Sequence, residues 1–133
     1  MSPAFDEELA LSEDFGSAAA ARQFTEETLA RGGYSGRHGD VVLVVSELVA
    51  NALIHGRGAP VLRVAGAPGW VRVEVSDHSG ALPAMRAPEP AGGGWGLQLV
   101  DRLTAGWGSV RRGIGKVVWC ELRPAAEPSA AAA

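Results

Sequence analysis

The sequence predicts an α+β fold, a two-layer sandwich in which helices pack on one sheet. The segment 41–56, VVLVVSELVANALIHG, is almost wholly apolar and has the length of a buried helix. The segment 71–76, VRVEVS, alternates apolar and polar residues, which is typical of a strand with one buried face. Glycine-containing turns separate further short apolar runs. These patterns together predict helices and strands around a single core.

The predicted elements follow the order β-α-α-β-β-loop-α-β-β. They are an edge strand at 8–12, helices at 18–31 and 41–56, strands at 61–65 and 71–76, a loop at 81–91, a helix at 97–104, and strands at 107–111 and 116–123. Asp14 or Ser17 is the expected N-cap of the first helix, and Gly32-Gly33 its stop. Asp40 is the expected N-cap of the second helix.

Length and composition limit the possible classes of protein. The chain has 133 residues, which suits one domain, expected at 8–123 between a flexible N-terminus (1–7) and a disordered Ala/Pro tail (124–133). The net charge of −3, with no basic run, disfavours a nucleic-acid partner. Residues 1–10 are acidic where a signal peptide would be basic, and no apolar run is long enough for a membrane span. We therefore expect a soluble, cytoplasmic domain without a membrane partner.

The single cysteine, Cys120, lies in an apolar run. One cysteine cannot support a disulfide framework, so we expect a small buried side chain in a reducing compartment.

Three polar residues, Glu47, Asn51 and His55, interrupt the apolar segment at intervals of four. On a helix each such step rotates by about 40°, so the three side chains form one row. Because an unpaired buried polar group costs about 1–3 kcal/mol, either other side chains or a ligand must satisfy this row, and we favour a ligand. Glu47 suits a general base, and the Asn51 oxygen suits Mg²⁺ held mainly by phosphates and water. His55 could line the pocket, although a lone histidine on an apolar helix is more often structural.

A glycine run precedes the last predicted helix, at Gly92, Gly93, Gly94 and Gly96. Its backbone N–H groups could approach an anion closely, although a glycine cluster alone is weak support for such a site. A P-loop is rejected because Val110 stands where its first glycine should be and Val117 where Ser or Thr should follow Lys116. A dinucleotide fingerprint is rejected because no βαβ unit surrounds the run.

Asp77 stands where the alternating strand ends. Its carboxylate either closes a local Asx-turn or accepts a hydrogen bond from the exocyclic amine of a bound base, and the sequence leaves both readings open.

The motifs resemble those of the GHKL (Bergerat-fold) ATPases, also called histidine-kinase-like ATPases. E47-L-V-A-N51-A-L-I-H55 resembles their N-box, D77-H-S-G80 the first glycine box, and G92-G-G-W-G96-L-Q-L-V100 the second. The residues around the N-box and the closing strand, G115-K116-V-V-W119, are most similar to those of anti-sigma-factor serine/threonine kinases. Single-domain ATP-binding regulators of actinobacteria are the nearest branch.

The resemblance implies ATP and Mg²⁺ as cofactors, with Glu47 as general base, Asn51 as Mg²⁺ ligand and Asp77 as acceptor for the adenine amino group. The implied phosphate and lid contacts come from Gly80, Gly92, Gly93, Gly94, Gly96 and the Leu97 backbone, under an ATP lid at 81–91. Two departures reduce the match. Ser79 and Ala81 occupy the usual glycine positions of the first box, and Val117 replaces a hydroxyl residue often found on the last strand.

Two functions follow from the resemblance. The first is a kinase that phosphorylates a Ser or Thr of an antagonist protein and controls a sigma factor by binding. The second is a regulator that binds ATP and a protein partner without phosphate transfer. A homodimer is possible for either. A sensor histidine kinase fragment is less expected because no phosphoacceptor helix precedes the domain, and a gyrase- or MutL-type machine is excluded by length.

Overall fold

The computed structural model describes residues 2–79 and 95–125. The predicted lid at 81–91 and all but the first two residues of the predicted tail at 124–133 lie outside the described residues. The described residues form five strands and three helices. In chain order these are β1 (Phe5–Ala10), α1 (Ser17–Gly32), α2 (His38–His55), β2 (Val61–Ala67), β3 (Trp70–Asp77), α3 (Trp95–Leu103), β4 (Gly106–Arg112) and β5 (Gly115–Leu122). The predicted α+β class and element order are confirmed.

The strands form one antiparallel sheet in the order β1-β2-β3-β5-β4. Alternation divides each central strand between two faces: Val71, Val73 and Val75 of β3 are buried, while Arg72 and Glu74 between them are only half-buried. In β5 the register places Lys116 opposite Asp77 and Cys120 opposite Val73. Asp77 and Lys116 therefore lie on the same face of the sheet as the buried valines.

The helices cover that face and complete the core. Helix α2 contacts α1, α3 and β3, and α1 also contacts β1 and β2. The buried side chains of α2 are Val41, Val44, Val45, Leu48, Val49 and Ala52. Since each fully buried aliphatic side chain contributes roughly 1.5–3 kcal/mol, α2 is the main helical contribution to the core.

Within the described ranges, α2 is also the one helix whose length and mean hydropathy of 1.2 would suit a membrane span. Its buried stripe is instead part of the domain core, in contact with both other helices and β3.

The predicted helix caps are wrong. Helix α1 begins after Gly16, which has no side chain and therefore makes no side-chain hydrogen bond at the cap. The Ser17 hydroxyl, in the first helical residue, donates to the Asp14 carbonyl at 2.8 Å. Helix α2 begins after Arg37, which places Asp40 inside the first turn. There its negative charge still complements the helix N-terminus. The predicted stop of α1 is confirmed, since Gly33 adopts a left-handed conformation with φ of 70°.

Several elements are longer than their sequence patterns indicated. β1 begins at Phe5, where it pairs with Gly66, so residues 5–7 belong to the sheet. β2 and β3 extend to Ala67 and Trp70, which leaves a two-residue turn between them. Backbone pairing therefore continues into positions whose side chains gave no strand pattern.

Cys120 is fully buried, as predicted. Burial raises the pKa of its thiol to about 12, so the side chain behaves as a small apolar group.

Candidate functional site

Asp77 is the most enclosed acidic residue that the structure describes at the predicted site. Its side chain is 1% exposed, and it is the last residue of β3. The Ser79 backbone N–H donates to Asp77 Oδ1 at 2.6 Å, which closes the Asx-turn that the sequence left open. The same carboxylate also has an ionic partner.

That partner is Lys116, which is directly opposite Asp77 in the β3–β5 ladder. Its Nζ lies 2.9 Å from Asp77 Oδ2 and 3.2 Å from Oδ1, and its side chain is 6% exposed. Burying two charges costs several kcal/mol of desolvation per ion, which mutual attraction repays only with close geometry. An ion pair that faces the core at the end of a strand therefore carries a large desolvation cost.

Two glycines bring backbone close to Asp77. A Cβ at Gly56, the C-cap of α2, would lie 2.6 Å from Asp77 Oδ2 and would also meet the Ala52 carbonyl oxygen. A Cβ at Gly115 would overlap the Asp77 carbonyl oxygen. The His78 N–H donates to the Arg57 carbonyl at 2.8 Å. The end of α2, the end of β3 and the start of β5 thus meet at the Asp77 carboxylate.

The polar row of α2 divides into two kinds of residue. Glu47 and Asn51 are half-buried, and within the described part of the chain neither side chain has a hydrogen-bond or ion-pair partner. His55 is exposed at the last position of α2, and whether it lines the pocket or is structural stays a prediction. Helix α2 ends at His55, so this side chain lies at the edge of the helix.

The spacing along α2 relates this row to Asp77. At 1.5 Å per residue, Asn51 lies about 7–8 Å before Gly56 along the helix axis, and Glu47 about 6 Å further. The arrangement therefore runs from the Asp77–Lys116 pair, at the end of α2, to the Asn51 carboxamide and then the Glu47 carboxylate, neither of which has a partner among the described residues. An elongated ligand could place a base at the Asp77–Lys116 pair and its phosphates, with their cation, beside Asn51 and Glu47.

The second glycine box is only partly described. Gly96 and Leu97 lie in the first turn of α3, where N–H groups lack helical partners and favour an anion. Leu97 is buried, and α3 contacts α2. Gly80, Gly92, Gly93 and Gly94 lie outside the described residues.

The donor set suits a metal ion that is held mostly by its ligand. The described residues contain no group of three or more His, Cys, Asp or Glu side chains that could hold a metal ion. The Asn51 oxygen, which has no partner in the part of the chain that the structure describes, fits Mg²⁺, which is usually bound by one or two protein ligands together with phosphates and waters.

Sequence reasoning missed Lys116 and Gly56. The sequence patterns place Lys116 only in the rejected P-loop match and in the motif of the last strand. The missed signal was the alternation of β5, because Lys116 shares its parity with Val118, Cys120 and Leu122, all of which are buried. The close approach of Gly56 to Asp77 has no signal in the sequence alone.

Comparisons with known proteins identify the family and the fold. The profile described as the histidine kinase-like ATPase domain matches residues 11–121. No curated protein matches the sequence.

Three solved structures have a similar fold. The crystal structure of the RsbU and RsbW domains of Rv1364c from Mycobacterium tuberculosis is 24% identical with a TM-score of 0.68, and the match covers 91% of this chain and 32% of that one. The Acinetobacter baumannii histidine kinase AdeS is 11% identical with a TM-score of 0.53, covering 90% and 68%. The catalytic domain of histidine kinase ThkA is 16% identical with a TM-score of 0.50, covering 88% and 97%.

This chain thus spans about a third of the Mycobacterium tuberculosis protein chain, and identities below 25% establish similarity of fold alone. The profile match extends over most of the sequence, from the residue after β1 to the penultimate residue of β5. The chain belongs to the histidine kinase-like ATPase family.

Proposed function

We propose that this protein binds Mg-ATP along α2 and transfers its terminal phosphoryl group to a Ser or Thr of an antagonist protein. The observation that carries the proposal is the pair Glu47 and Asn51, half-buried one helical turn apart and without partners in the described chain. Both side chains are partly open to solvent, so a ligand can bind them without breaking any contact that the structure describes.

When bound, Mg-ATP supplies the phosphoryl group and the cation that neutralises its charge. Asn51 would hold the metal through its side-chain oxygen. Glu47 would accept the proton of the substrate hydroxyl while the hydroxyl oxygen bonds to phosphorus and ADP leaves. The N-terminal turn of α3, at Gly96 and Leu97, would offer N–H groups to the phosphates.

The proposed class of protein substrate is inferred from a sequence motif. The segment 46–56 resembles that of anti-sigma-factor serine/threonine kinases, which points to an antagonist protein as substrate and to a sigma factor as the protein controlled by binding. The fold match to a protein with an RsbW domain supports the same branch at the level of fold.

Glu47→Gln tests the catalytic role. This change keeps the size of the side chain and removes its basicity, so phosphoserine or phosphothreonine on a candidate antagonist should fall by about 10²-fold or more, while Mg-ATP binding persists. His55→Ala is a matched control, because His55 is exposed on the same helix. Equal labelling by wild type and Glu47→Gln would exclude Glu47 as the base.

A second function is favoured by Lys116. Its ammonium already binds both oxygens of Asp77, the residue expected to accept the adenine amine. Because Lys116 shares this acceptor and Ser79 and Ala81 replace the usual glycines of the first box, the site departs from the family pattern, which favours a regulator that uses the nucleotide as a structural ligand. For such a regulator, Mg-ATP raises the melting temperature by mass action, and no phosphate reaches any partner.

A further inference from the structure

We propose that Lys116 determines base selectivity at this site and allows 6-oxopurine nucleotides to bind as well as 6-aminopurine nucleotides. The inference rests on the proposed nucleotide-binding function and concerns the chemistry of its base end.

The geometry makes the acceptor a two-residue group. Lys116 Nζ contacts both oxygens of Asp77, at 2.9 and 3.2 Å, and Ser79 N–H occupies Oδ1 at 2.6 Å. A carboxylate has about four lone-pair positions, so one on Oδ2 remains for an incoming donor. A lysine ammonium has three N–H donors, and two of them face Asp77, which leaves one for an incoming acceptor. The pair can therefore both accept and donate.

Charge decides which bases such a group tolerates. An isolated carboxylate attracts a 6-amino group and repels a 6-oxo group, since the oxo oxygen offers only lone pairs. The nearby ammonium cancels much of the carboxylate charge and supplies the donor that a 6-oxo group needs. Because both side chains are almost fully buried, these interactions are stronger than they would be in water.

The fold holds Lys116 in this place. Its position opposite Asp77 is set by the β3–β5 register, and the Gly115 backbone lies against the Asp77 carbonyl oxygen. A one-residue slip would move Lys116 to the other face of the sheet. The proposed selectivity is therefore assigned to two residues that the β3–β5 pairing holds together.

ATP and inosine triphosphate test the proposal. Inosine triphosphate differs from ATP by an oxo group at C6 and a proton on N1, so the ratio of the two dissociation constants isolates the base edge. For the wild-type chain with Mg²⁺, calorimetry should give values within about tenfold of each other. Lys116→Met should weaken inosine triphosphate relative to ATP by at least about tenfold. Arg123→Met, which removes an exposed cation, should leave the ratio unchanged.

Lys116→Thr is a second variant for the case in which Lys116→Met does not fold, because its hydroxyl can still donate to Asp77. The proposal is overturned if the wild type rejects inosine triphosphate by more than about 100-fold, or if the ratio is the same in wild type and the folded Lys116 variants. In either case Mg-ATP binding would leave the proposed function standing. If neither nucleotide binds the wild type, the proposed function fails as well.

Discussion

The two faces of the sheet carry ion pairs in contrasting environments. On the helix-covered face, Asp77 and Lys116 form one pair with side chains 1% and 6% exposed. On the opposite face, a chain of pairs crosses four strands with side chains 16–39% exposed. Its members are Asp6, Arg63, Glu74, Arg72 and Glu121, and Arg72 also lies 4.5 Å from the centroid of a Trp119 ring.

The comparison separates interactions that contribute to stability from one that has another explanation. Exposed pairs contribute little, about 0–1 kcal/mol each, but they cost little to form. A buried pair is often no better for stability than apolar residues of the same volume. The resemblance implies that Asp77 is a base acceptor, so under the proposed function ligand binding explains this buried pair better than stability does.

The sharpest way to break this contrast is Lys116→Met. The change leaves the Asp77 carboxylate buried with only the Ser79 N–H as a described partner, so the free energy of unfolding should fall by about 3–5 kcal/mol. Urea denaturation measures the loss. The double variant Asp77→Asn/Lys116→Met removes both charges and should recover most of the stability. A loss below about 1 kcal/mol in the single variant would show that the pair behaves like those on the face opposite the helices.

A smaller effect is expected from crowding the same carboxylate. Gly56→Ala places a Cβ 2.6 Å from Asp77 Oδ2, and such overpacking costs about 1–3 kcal/mol of unfolding free energy. Gly39→Ala is the control, because Gly39 lies in α2 with nothing within 4 Å of an added Cβ. A helical Gly→Ala change there should stabilise by up to about 1 kcal/mol. Thermal unfolding should thus move in opposite directions for the two variants, and a shared direction would count against the crowded site.

The smallest effect on stability is expected from the Asp6–Arg63 pair, on the face opposite the helices. Hydrogen bonding to Arg63 holds the pKa of Asp6 below its usual value of 3.8. A lowered folded-state pKa contributes stability above the unfolded pKa, and this contribution is lost as pH falls through the folded value. Asp6→Asn should therefore cost about 0.2–1 kcal/mol at pH 7.

The cost of Asp6→Asn should disappear below the folded-state pKa, and 1 M salt should reduce it at neutral pH. Urea unfolding at neutral and acidic pH, and at neutral pH with and without 1 M salt, measures both effects. A loss that is insensitive to both conditions would mean that the pair acts through packing.

Sequence patterns predicted the elements well where side chains alternate or repeat regularly. The apolar row of α2 and the alternation of β3 each determine one buried face, and the structure confirms both. The α2 cap was mispredicted because Asp40 is a good capping residue by type, whereas the helix begins earlier, after Arg37. Strand ends at Phe5 and Ala67 depend on backbone pairing with a neighbouring strand, which no single segment reveals.

The candidate site was predictable to a lesser extent. Glu47 and Asn51 were identified because polar side chains at helical spacing are conspicuous in an apolar segment. The Asp77–Lys116 pair joins residues 39 positions apart, and it emerges only when the β3–β5 register is known. Gly80, Gly92, Gly93 and Gly94 stay predictions from the motif.

The most direct test of the account is the Mg-ATP dissociation constant of three proteins: wild type, Asn51→Ala and His55→Ala. Asn51 and His55 lie on one helix, one half-buried without a described partner and the other exposed. We expect wild type and His55→Ala to bind equally, and Asn51→Ala to bind at least about tenfold more weakly with a reduced dependence on Mg²⁺. Equal affinity in all three proteins, or no binding by the wild type, would contradict the assignment of α2 as the nucleotide-binding helix.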